Sequence, residues 1–226
     1  SLYEDDSGLL WIGTRSGGVS RWNPRSWELG GHRPDSLGGK LVTSFAKAPD
    51  NKVWISSLGG GLTLFDIATG KATELDTLLH KTNALHDKRV MSLLTDRHDN
   101  LWIGTMAQGL YVLTSSGKLE SIPVAAGDAH SVSAAGIMTL FESRSGAIWI
   151  GTHGGGANIL DPETRQVRQL PFEPAQPGGT GFPHVSAFAE DSHGNVWIGT
   201  DGGGLHLAKP DGTVVASFRY DSKDRH

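Results

Sequence analysis

The sequence predicts an all-β fold in which one four-stranded antiparallel unit is repeated five times. The string Trp-Ile-Gly-Thr occurs four times and a related Trp-Ile-Ser-Ser once, at intervals of 43, 48, 47 and 48 residues. These strings place five of the seven tryptophans at one repeat position: Trp11, Trp54, Trp102, Trp149 and Trp197. A period of this length, with glycine turns between short alternating apolar segments, is typical of β-propeller blades.

Four strands, which we call a to d, can be placed in each repeat from the period-two alternation and the turn residues. In the second repeat they are predicted at Leu41–Ala46, Val53–Ser56, Leu62–Asp66 and Lys71–Leu75. One four-stranded sheet cannot bury both of its faces, whereas stacked sheets can. We therefore expect the repeated tryptophan to be a structural residue that fills the space between neighbouring blades.

The repeats run over about residues 1–37, 38–86, 87–132, 133–181 and 182–226. We interpret residues 1–226 as a single propeller segment, which is either a five-bladed ring or an arc of a larger propeller. The chain begins with Ser1 rather than Met, so we expect it to be a segment of a longer protein. Three residues before each tryptophan stands a residue that tolerates a left-handed backbone: Gly8, Asn51, Asp99, Gly146 and Gly194.

The charge balance and the hydropathy pattern exclude several functions. Lys and Arg total 20 and Asp and Glu total 24, so the formal net charge is −4. Nucleic-acid-binding domains and domains that dock on anionic membranes usually carry a basic patch, so neither partner is expected. The apolar runs are far shorter than the ~18–20 residues that span a bilayer, so no direct membrane insertion is expected. The chain has no cysteine, which excludes disulfides and thiolate chemistry.

Glycine clusters and acidic residues, which often form active sites, are interpreted here as structural. The clusters at 59–61, 154–156 and 202–204 precede apolar strands rather than helices, so they are turns and not phosphate-binding loops. Acidic residues recur just before the a–b turn, where carboxylates commonly cap turn amides. They are Glu4, Asp5, Glu142, Glu190 and Asp191. We expect no catalytic residue and no cofactor in this segment.

Four of the ten histidines fall near the connections between strand d and the next strand a: His32, His86, His130 and His184. A ring of imidazoles at one mouth of a propeller could bind a metal ion. These four occupy different repeat positions, however, and no His-x-x-x-His pair supports them. We interpret them as solvated loop residues and predict no metal site.

The position four residues after each repeated tryptophan is the most informative one for function. It holds five unrelated side chains while its neighbours hardly change between repeats: Arg15, Leu58, Met106, His153 and Asp201. These residues open the b–c loops, and loops on a rigid scaffold are where binding residues concentrate. Arg15, His153 and Asp201, with Gln108 nearby, form a mixed polar ring suited to a neutral or zwitterionic small molecule. Met106 completes the candidate b–c loop ring. Plain solvent-exposed loop tips are the alternative.

Trp22 and Trp27 lie outside the repeat position, at the c–d hairpin of the first repeat. Exposed aromatic residues there could stack on a sugar ring or contact a protein. Packing under a terminal loop is an equally good interpretation.

The pattern Asp-x-x-Gly-x-Leu/Val-Trp-Ile-Gly-Thr, followed by glycines and an apolar residue, resembles the two-component regulator propeller repeat. The nearest copies begin at Asp5 and Asp191, and the resemblance covers essentially the whole chain. The second copy departs from it at Ala48 and at Ser56-Ser57. In that family the repeats form extracytoplasmic sensor domains that precede a membrane helix and a histidine kinase or diguanylate cyclase. The resemblance thus implies a periplasmic or extracellular ligand-sensing module of a bacterial receptor, without enzymatic activity of its own.

A module of this kind would bind a small molecule, such as an oligosaccharide breakdown product, and would act through a homodimer of its parent receptor. Two other functions stay open. The repeat also resembles that of the virginiamycin B lyase propellers, which carry a metal and a catalytic histidine near the axis, but no unique His-with-acid motif marks such a site here. A scaffold for protein partners is the other alternative, although no repeat contains the Trp-Asp dipeptide of intracellular scaffold propellers.

Overall fold

The computed structural model describes residues 1–32, 41–82, 84–85, 88–125, 127–170 and 184–219. The chain divides into two compact units, Ser1–Ser121 and Ile122–His226, here called unit 1 and unit 2. Each is built almost entirely of β-strands, which pair antiparallel in four-stranded sheets. No helix in the described part of the chain is long and apolar enough to cross a membrane.

Each sheet is one blade, with its four strands in sequence order. Unit 1 holds blade 1 (β1 Leu2–Glu4, β2 Leu10–Gly13, β3 Val19–Asn23, β4 Glu28–His32) and blade 2 (β5 Val42–Ala48, β6 Lys52–Ser57, β7 Gly61–Asp66, β8 Ala72–Glu74). It also holds blade 3 (β9 Val90–Thr95, β10 Leu101–Thr105, β11 Leu110–Leu113, β12 Leu119–Ile122), except for Ile122, the last residue of β12. Unit 2 holds blade 4 (β13 Ile137–Glu142, β14 Ile148–Thr152, β15 Ala157–Leu160, β16 Val167–Gln169) and blade 5 (β17 His184–Glu190, β18 Val196–Asp201, β19 Gly204–Ala208, β20 Val214–Phe218). The predicted fold class, an all-β chain of four-stranded propeller blades, is confirmed.

Blade 2 differs from the prediction at the ends of its strands. Strand a continues to Ala48, and strand d covers Ala72–Glu74 rather than Lys71–Leu75. Leu75 instead begins a one-turn helix, α1, which spans Leu75–Leu78. The apolar side chain that suggested a strand residue is buried in the core, where it anchors this helix to blade 2.

In unit 1, Trp11 and Trp54 fill the spaces between blades, as predicted. Trp11 on β2 is fully buried and meets the ring of Phe65 in blade 2 edge-on, with 5.6 Å between the ring centroids. It belongs to a cluster that also contains Val42 of blade 2. Trp54 on β6 is buried in a second cluster, which contains Val90 of blade 3.

The other three repeated tryptophans are buried to different degrees. Trp149 of blade 4 is fully buried and meets Phe188 of blade 5, with 6.0 Å between the ring centroids. Trp102 of blade 3 is also fully buried. Trp197 of blade 5 is only half-buried, and its ring stacks on Phe218 of the same blade at 5.8 Å. The position is therefore buried in four of the five blades, and Trp11, Trp54 and Trp149 are seen to pack against the next blade.

The glycine of Trp-Ile-Gly-Thr allows neighbouring blades to approach closely. A Cβ atom built on Gly13 would lie 2.7 Å from Cγ1 of Val42, on the first strand of the next blade. A Cβ atom on Gly151 would lie at the same distance from Cγ1 of Val185. Any side chain at these glycines would overlap the next blade, because close-packed interiors have no spare room.

Blade 2 carries Ser56 where the other blades have this glycine, and it replaces close packing by hydrogen bonds. Ser56 is fully buried, and its hydroxyl lies 2.8 Å from that of Thr43. The Thr43 hydroxyl in turn donates to the carbonyl of Val90 in blade 3, at 2.6 Å. The amide of Leu93 donates to the hydroxyl of Ser44 across the same junction.

The a–b turns contain a left-handed residue three positions before each tryptophan, as predicted. All five of these residues have positive φ: Gly8 79°, Asn51 56°, Asp99 60°, Gly146 90° and Gly194 83°. Only residue types that tolerate this conformation can close the turn. The match confirms that all five turns use a left-handed residue at this position, and blade 2 adds a second one at Asp50, with a φ of 57°.

An aspartate caps the a–b turn and also holds the tryptophan. Oδ1 of Asp5 accepts hydrogen bonds from the amides of Ser7 and Leu9, and its Oδ2 accepts one from Nε1 of Trp11 at 2.8 Å. Asp191 caps its turn through the amides of His193 and Asn195. The predicted capping role is confirmed for both aspartates.

Blade 3 repeats this arrangement, and blade 4 lacks it. In blade 3, Oδ2 of Asp96 accepts a hydrogen bond of 2.8 Å from Nε1 of Trp102. In blade 4, Ser143 stands at the equivalent position, and Nε1 of Trp149 is buried with no hydrogen-bond partner among the described residues. Glu190 takes another role, since its carboxylate accepts the amide hydrogen of Arg144 in blade 4 at 2.8 Å.

We predict that Gly151→Ala destabilises the protein by ~1–3 kcal/mol, because the new methyl group would overlap Thr139 of the adjacent strand and Val185 of blade 5. The matched control is Gly199→Ala at the same repeat position, where the nearest atom to a new Cβ is 3.7 Å away. The control should change stability by less than about 0.5 kcal/mol. Urea unfolding measures both, and equal losses would contradict the assigned role of Gly151.

We predict that Asp96 makes the free energy of unfolding depend on pH. Burial raises the pKa of Asp96, but hydrogen bonds from Trp102 and Asn100 outweigh this effect and hold the pKa below its usual value. A lowered folded-state pKa means that its stabilisation is present above the unfolded value and is lost as the pH falls through the folded value. Between about pH 5 and about pH 3, Asp96→Asn should lose less unfolding free energy than the wild type. Equal losses of unfolding free energy in the wild type and in Asp96→Asn, measured by urea unfolding, would contradict this prediction.

Candidate functional site

The residues predicted to line the candidate ring lie at the tips of the b–c connections. Arg15 follows β2, Met106 and Gln108 follow β10, and His153 follows β14. Asp201 differs slightly, because it is the last residue of β18 rather than a loop residue. All five are exposed. Exposure fits both a binding role and plain loop tips, so ligand binding by these residues stays a prediction.

The threonine of Trp-Ile-Gly-Thr holds each of these loops in shape. The Thr152 hydroxyl donates to the carbonyl of Gly156 at 2.8 Å and accepts the amide hydrogen of Gly155 at 3.1 Å. The same hydroxyl-to-carbonyl bond recurs at the threonines of blades 1, 3 and 5: Thr14, Thr105 and Thr200. Each loop therefore closes on itself through the threonine hydroxyl.

In unit 1 the candidate residues stand on separate blades. Arg15 belongs to blade 1, whereas Met106 and Gln108 belong to blade 3. The amide of Met106 donates to the carbonyl of Arg89, and that of Gln108 donates to the Thr105 hydroxyl. Among the described residues, no hydrogen bond, ion pair or ring contact joins Arg15 to Met106 or Gln108. The side chains of all three residues are exposed.

In unit 2 the chain brings together two histidines that the sequence did not connect. The rings of His153 and His184 lie 3.9 Å apart between centroids, at an interplanar angle of 34°. The amide of His153 donates to the carbonyl of Gly136 at 2.8 Å, which fixes the start of its loop. Asp201 is the cross-strand partner of His184. Directly opposed residues of an antiparallel pair share one face of the sheet, so these groups form a local cluster, here called the His153 cluster.

The interpretation of His184 as a solvated loop residue was therefore wrong. His184 begins β17, and its Nδ1 atom is buried without a hydrogen-bond partner among the described residues. His130 does lie exposed in a turn, where its amide donates to Asp128. His86 and the side chain of His32 lie outside the described residues. Within the described ranges, no group of three or more His, Asp or Glu side chains could hold a metal ion.

Trp22 and Trp27 pack edge-to-face, with 5.7 Å between the ring centroids. Trp27 is 79% exposed and has a φ of 58°, an unusual conformation for a large side chain. Packing under a loop therefore describes Trp22 better than Trp27. The exposed indole leaves open a contact with a sugar or a protein.

The comparisons with known proteins agree with this architecture. The family model described as two component regulator propeller matches residues 84–107 and 181–202, which confirms the resemblance to that repeat. The extracellular domain of BT4673 from B. thetaiotaomicron, assigned as a one component system, is 25% identical to the chain with a TM-score of 0.77. The alignment covers 99% of this chain and 28% of that one. No curated protein matches the chain significantly.

Two further solved structures share the fold. Another structure of the BT4673 extracellular domain, assigned there as part of a hybrid two component system, has a TM-score of 0.74 and 22% identity, covering 100% of this chain and 33% of that one. A streptogramin B lyase has a TM-score of 0.72 and 12% identity, covering 95% of this chain and 66% of the enzyme. At these identities the two structures support the fold alone. The chain spans about a third or less of the BT4673 domains.

We predict that Thr152→Val loosens the loop that carries His153. The change removes a buried hydroxyl that bridges Gly155 and Gly156, which should cost ~1–3 kcal/mol. Hydrogen exchange at the amides of residues 153–156 should accelerate. Thr164→Val, on the exposed c–d turn of blade 4, is the matched control and should leave these amides unchanged. Equal exchange in wild type and Thr152→Val would contradict the role given to the hydroxyl.

Proposed function

We propose that this chain is part of the extracytoplasmic sensory propeller of a bacterial signal-transduction receptor. The observation that carries the proposal is the similarity over 99% of the chain to the extracellular domain of BT4673. The two matches to the two-component regulator propeller repeat support the same class of protein. A periplasmic or extracellular location follows from this proposal, as does an output domain in the parent receptor.

The b–c loop tips are the proposed ligand site. Their backbones are fixed by the threonine hydroxyls, and their side chains are exposed and differ between blades. A rigid scaffold with variable tips suits recognition, because little conformational entropy is lost on binding. Arg15 and Gln108 in unit 1, and His153 and Asp201 in unit 2, each offer hydrogen-bond donors or acceptors to a neutral, hydroxyl-rich molecule, so an oligosaccharide is the proposed ligand class.

Signalling requires more than binding. A ligand shifts a conformational equilibrium only when its affinity differs between the two states. In the proposed receptor, two subunits would form a homodimer, and ligand binding would favour one arrangement of that dimer. The propeller itself would catalyse no reaction.

The experiment is thermal unfolding of the 226-residue chain with a panel of neutral oligosaccharides. A ligand at about 100 times its Kd stabilises the folded state by ~2.7 kcal/mol. We expect at least one sugar to raise Tm. The double variant Arg15→Ala/Asp201→Ala should lose this rise while its Tm without sugar stays near that of the wild type, because both side chains are exposed.

The matched control replaces one cation and one anion at exposed c–d turns, Arg25→Ala/Glu163→Ala, and should keep the full response. Loss of the response in this control, or its retention in Arg15→Ala/Asp201→Ala, would contradict the assignment of the b–c loops. If no sugar shifts Tm, the proposed ligand class is wrong. Metal-dependent turnover of a streptogramin would instead favour a lyase, and capture of a protein without small ligand would favour a scaffold.

A further inference from the structure

Blade 5 exposes an apolar sheet face that carries its repeated tryptophan, here called the Trp197 face. The cross-strand pairing places six residues of all four strands on this side of the sheet: Ala189, Trp197, Gly199, Leu205, Leu207 and Phe218. None of the six is charged, and Leu205 and Phe218 are exposed. A contiguous exposed apolar patch of this kind commonly marks an interaction surface.

The equivalent face is buried in the other blades. The residue that follows the last glycine of the b–c turn is at most 2% exposed in blades 1 to 4, where it is Val19, Leu62, Leu110 and Ala157. The same position in blade 5 is Leu205, which is 40% exposed. The tryptophan differs in the same way, since Trp149 is fully buried and Trp197 is only half-buried. The Trp197 face therefore has the composition of a buried face but is open to solvent.

Gly199 leaves an open space on this face. A Cβ atom built on Gly151 in blade 4 would lie 2.7 Å from Cγ1 of Val185 in the next blade. For Gly199 the three nearest atoms, at 3.7 to 3.9 Å, all belong to Ala187 and Ser186 of its own blade. A glycine weakens the interior of a strand and often marks a place where another backbone approaches closely. Gly199 thus keeps the form of a blade junction, without the side chain that fills one.

The filled junction of unit 2 shows which surface fits such a face. Val185 on strand a of blade 5 lies over Gly151, and Phe188, three residues later, meets the ring of Trp149. Blade 2 presents the same pair to blade 1: Val42 and Phe45. The fitting surface is therefore a strand a with a branched aliphatic residue and, three positions later, a large apolar one.

We infer that the Trp197 face binds strand a of a further propeller blade, with a branched aliphatic side chain over Gly199 and a large apolar side chain against Trp197. The blade is supplied by the parent protein. The extracellular domain of BT4673, which matches 99% of this chain, is covered over only 28% of its own length and has room for more repeats. This inference does not depend on the proposed ligand or on the sensing role.

The test is chemical labelling of a single thiol, which is possible because the chain has no cysteine. Leu205→Cys places the thiol on the Trp197 face. In a second version of the same variant, a copy of residues 171–226 is appended after Arg219, so that the copied strand a can cover Gly199 and Trp197. The rate of reaction with a maleimide is measured in both versions.

We expect the appended copy to slow labelling of Leu205→Cys by about tenfold or more, because a covered group reacts only through local opening. The matched control is Met106→Cys, at a b–c loop residue that is 42% exposed, and its labelling should not change. Val185→Asp in the appended copy alone should restore fast labelling of Leu205→Cys, because a buried unpaired charge opposes docking.

Unchanged labelling of Leu205→Cys in the presence of the appended copy would overturn the inference. Removal of the copy by trypsin while the rest of the chain stays intact would do the same, since a blade that docks is protected. Slow labelling of the 226-residue variant itself would show that the face is already covered. If dilution then restored fast labelling, the occupant would be a second copy of the chain, and either result would overturn the inference. Sugar binding is measured separately, so these outcomes leave the proposed function untouched.

Discussion

The close approach of neighbouring blades at the glycine of strand b is the constraint on which the rest of the structure depends. In unit 1, Gly13 leaves room for Val42, and in unit 2, Gly151 leaves room for Val185. The contact brings the indole two residues earlier into the space between the sheets, where burial of its large apolar surface stabilises the stack. Blade 2 shows that a different solution is possible, because Ser56 is accommodated there by hydrogen bonds to the same junction.

This packing also explains why the b–c loops can vary. The residue after the glycine is a threonine in four blades, and its hydroxyl closes the loop through the backbone. Once the backbone is fixed in this way, the next side chain is not needed to close the loop. Arg15 and His153 can therefore differ without cost to the fold, which is the property that a binding surface needs.

The sequence predicted the features that are local or repeated. The left-handed turn three residues before each tryptophan and the capping by Asp5 follow from residue types a few positions apart, and the structure confirms them. The sequence did not show where strand d of blade 2 ends, because an apolar residue such as Leu75 can be buried equally well in a strand or in a helix. The contact of His153 with His184 was missed because it joins residues 31 positions apart, on different blades and at different repeat positions. Repeat analysis finds what the blades share, and this contact belongs to one junction only.

The central claim is that rigid blades present ligand-binding side chains at their b–c loops. Hydrogen exchange of the chain, alone and with the oligosaccharide that stabilises it most, tests this claim most directly. The account predicts slow exchange along the strands that carry Trp-Ile-Gly in both states, and added protection confined to the b–c loops when sugar is bound. Protection confined to the c–d hairpins, such as the one carrying Trp22 and Trp27, would contradict it.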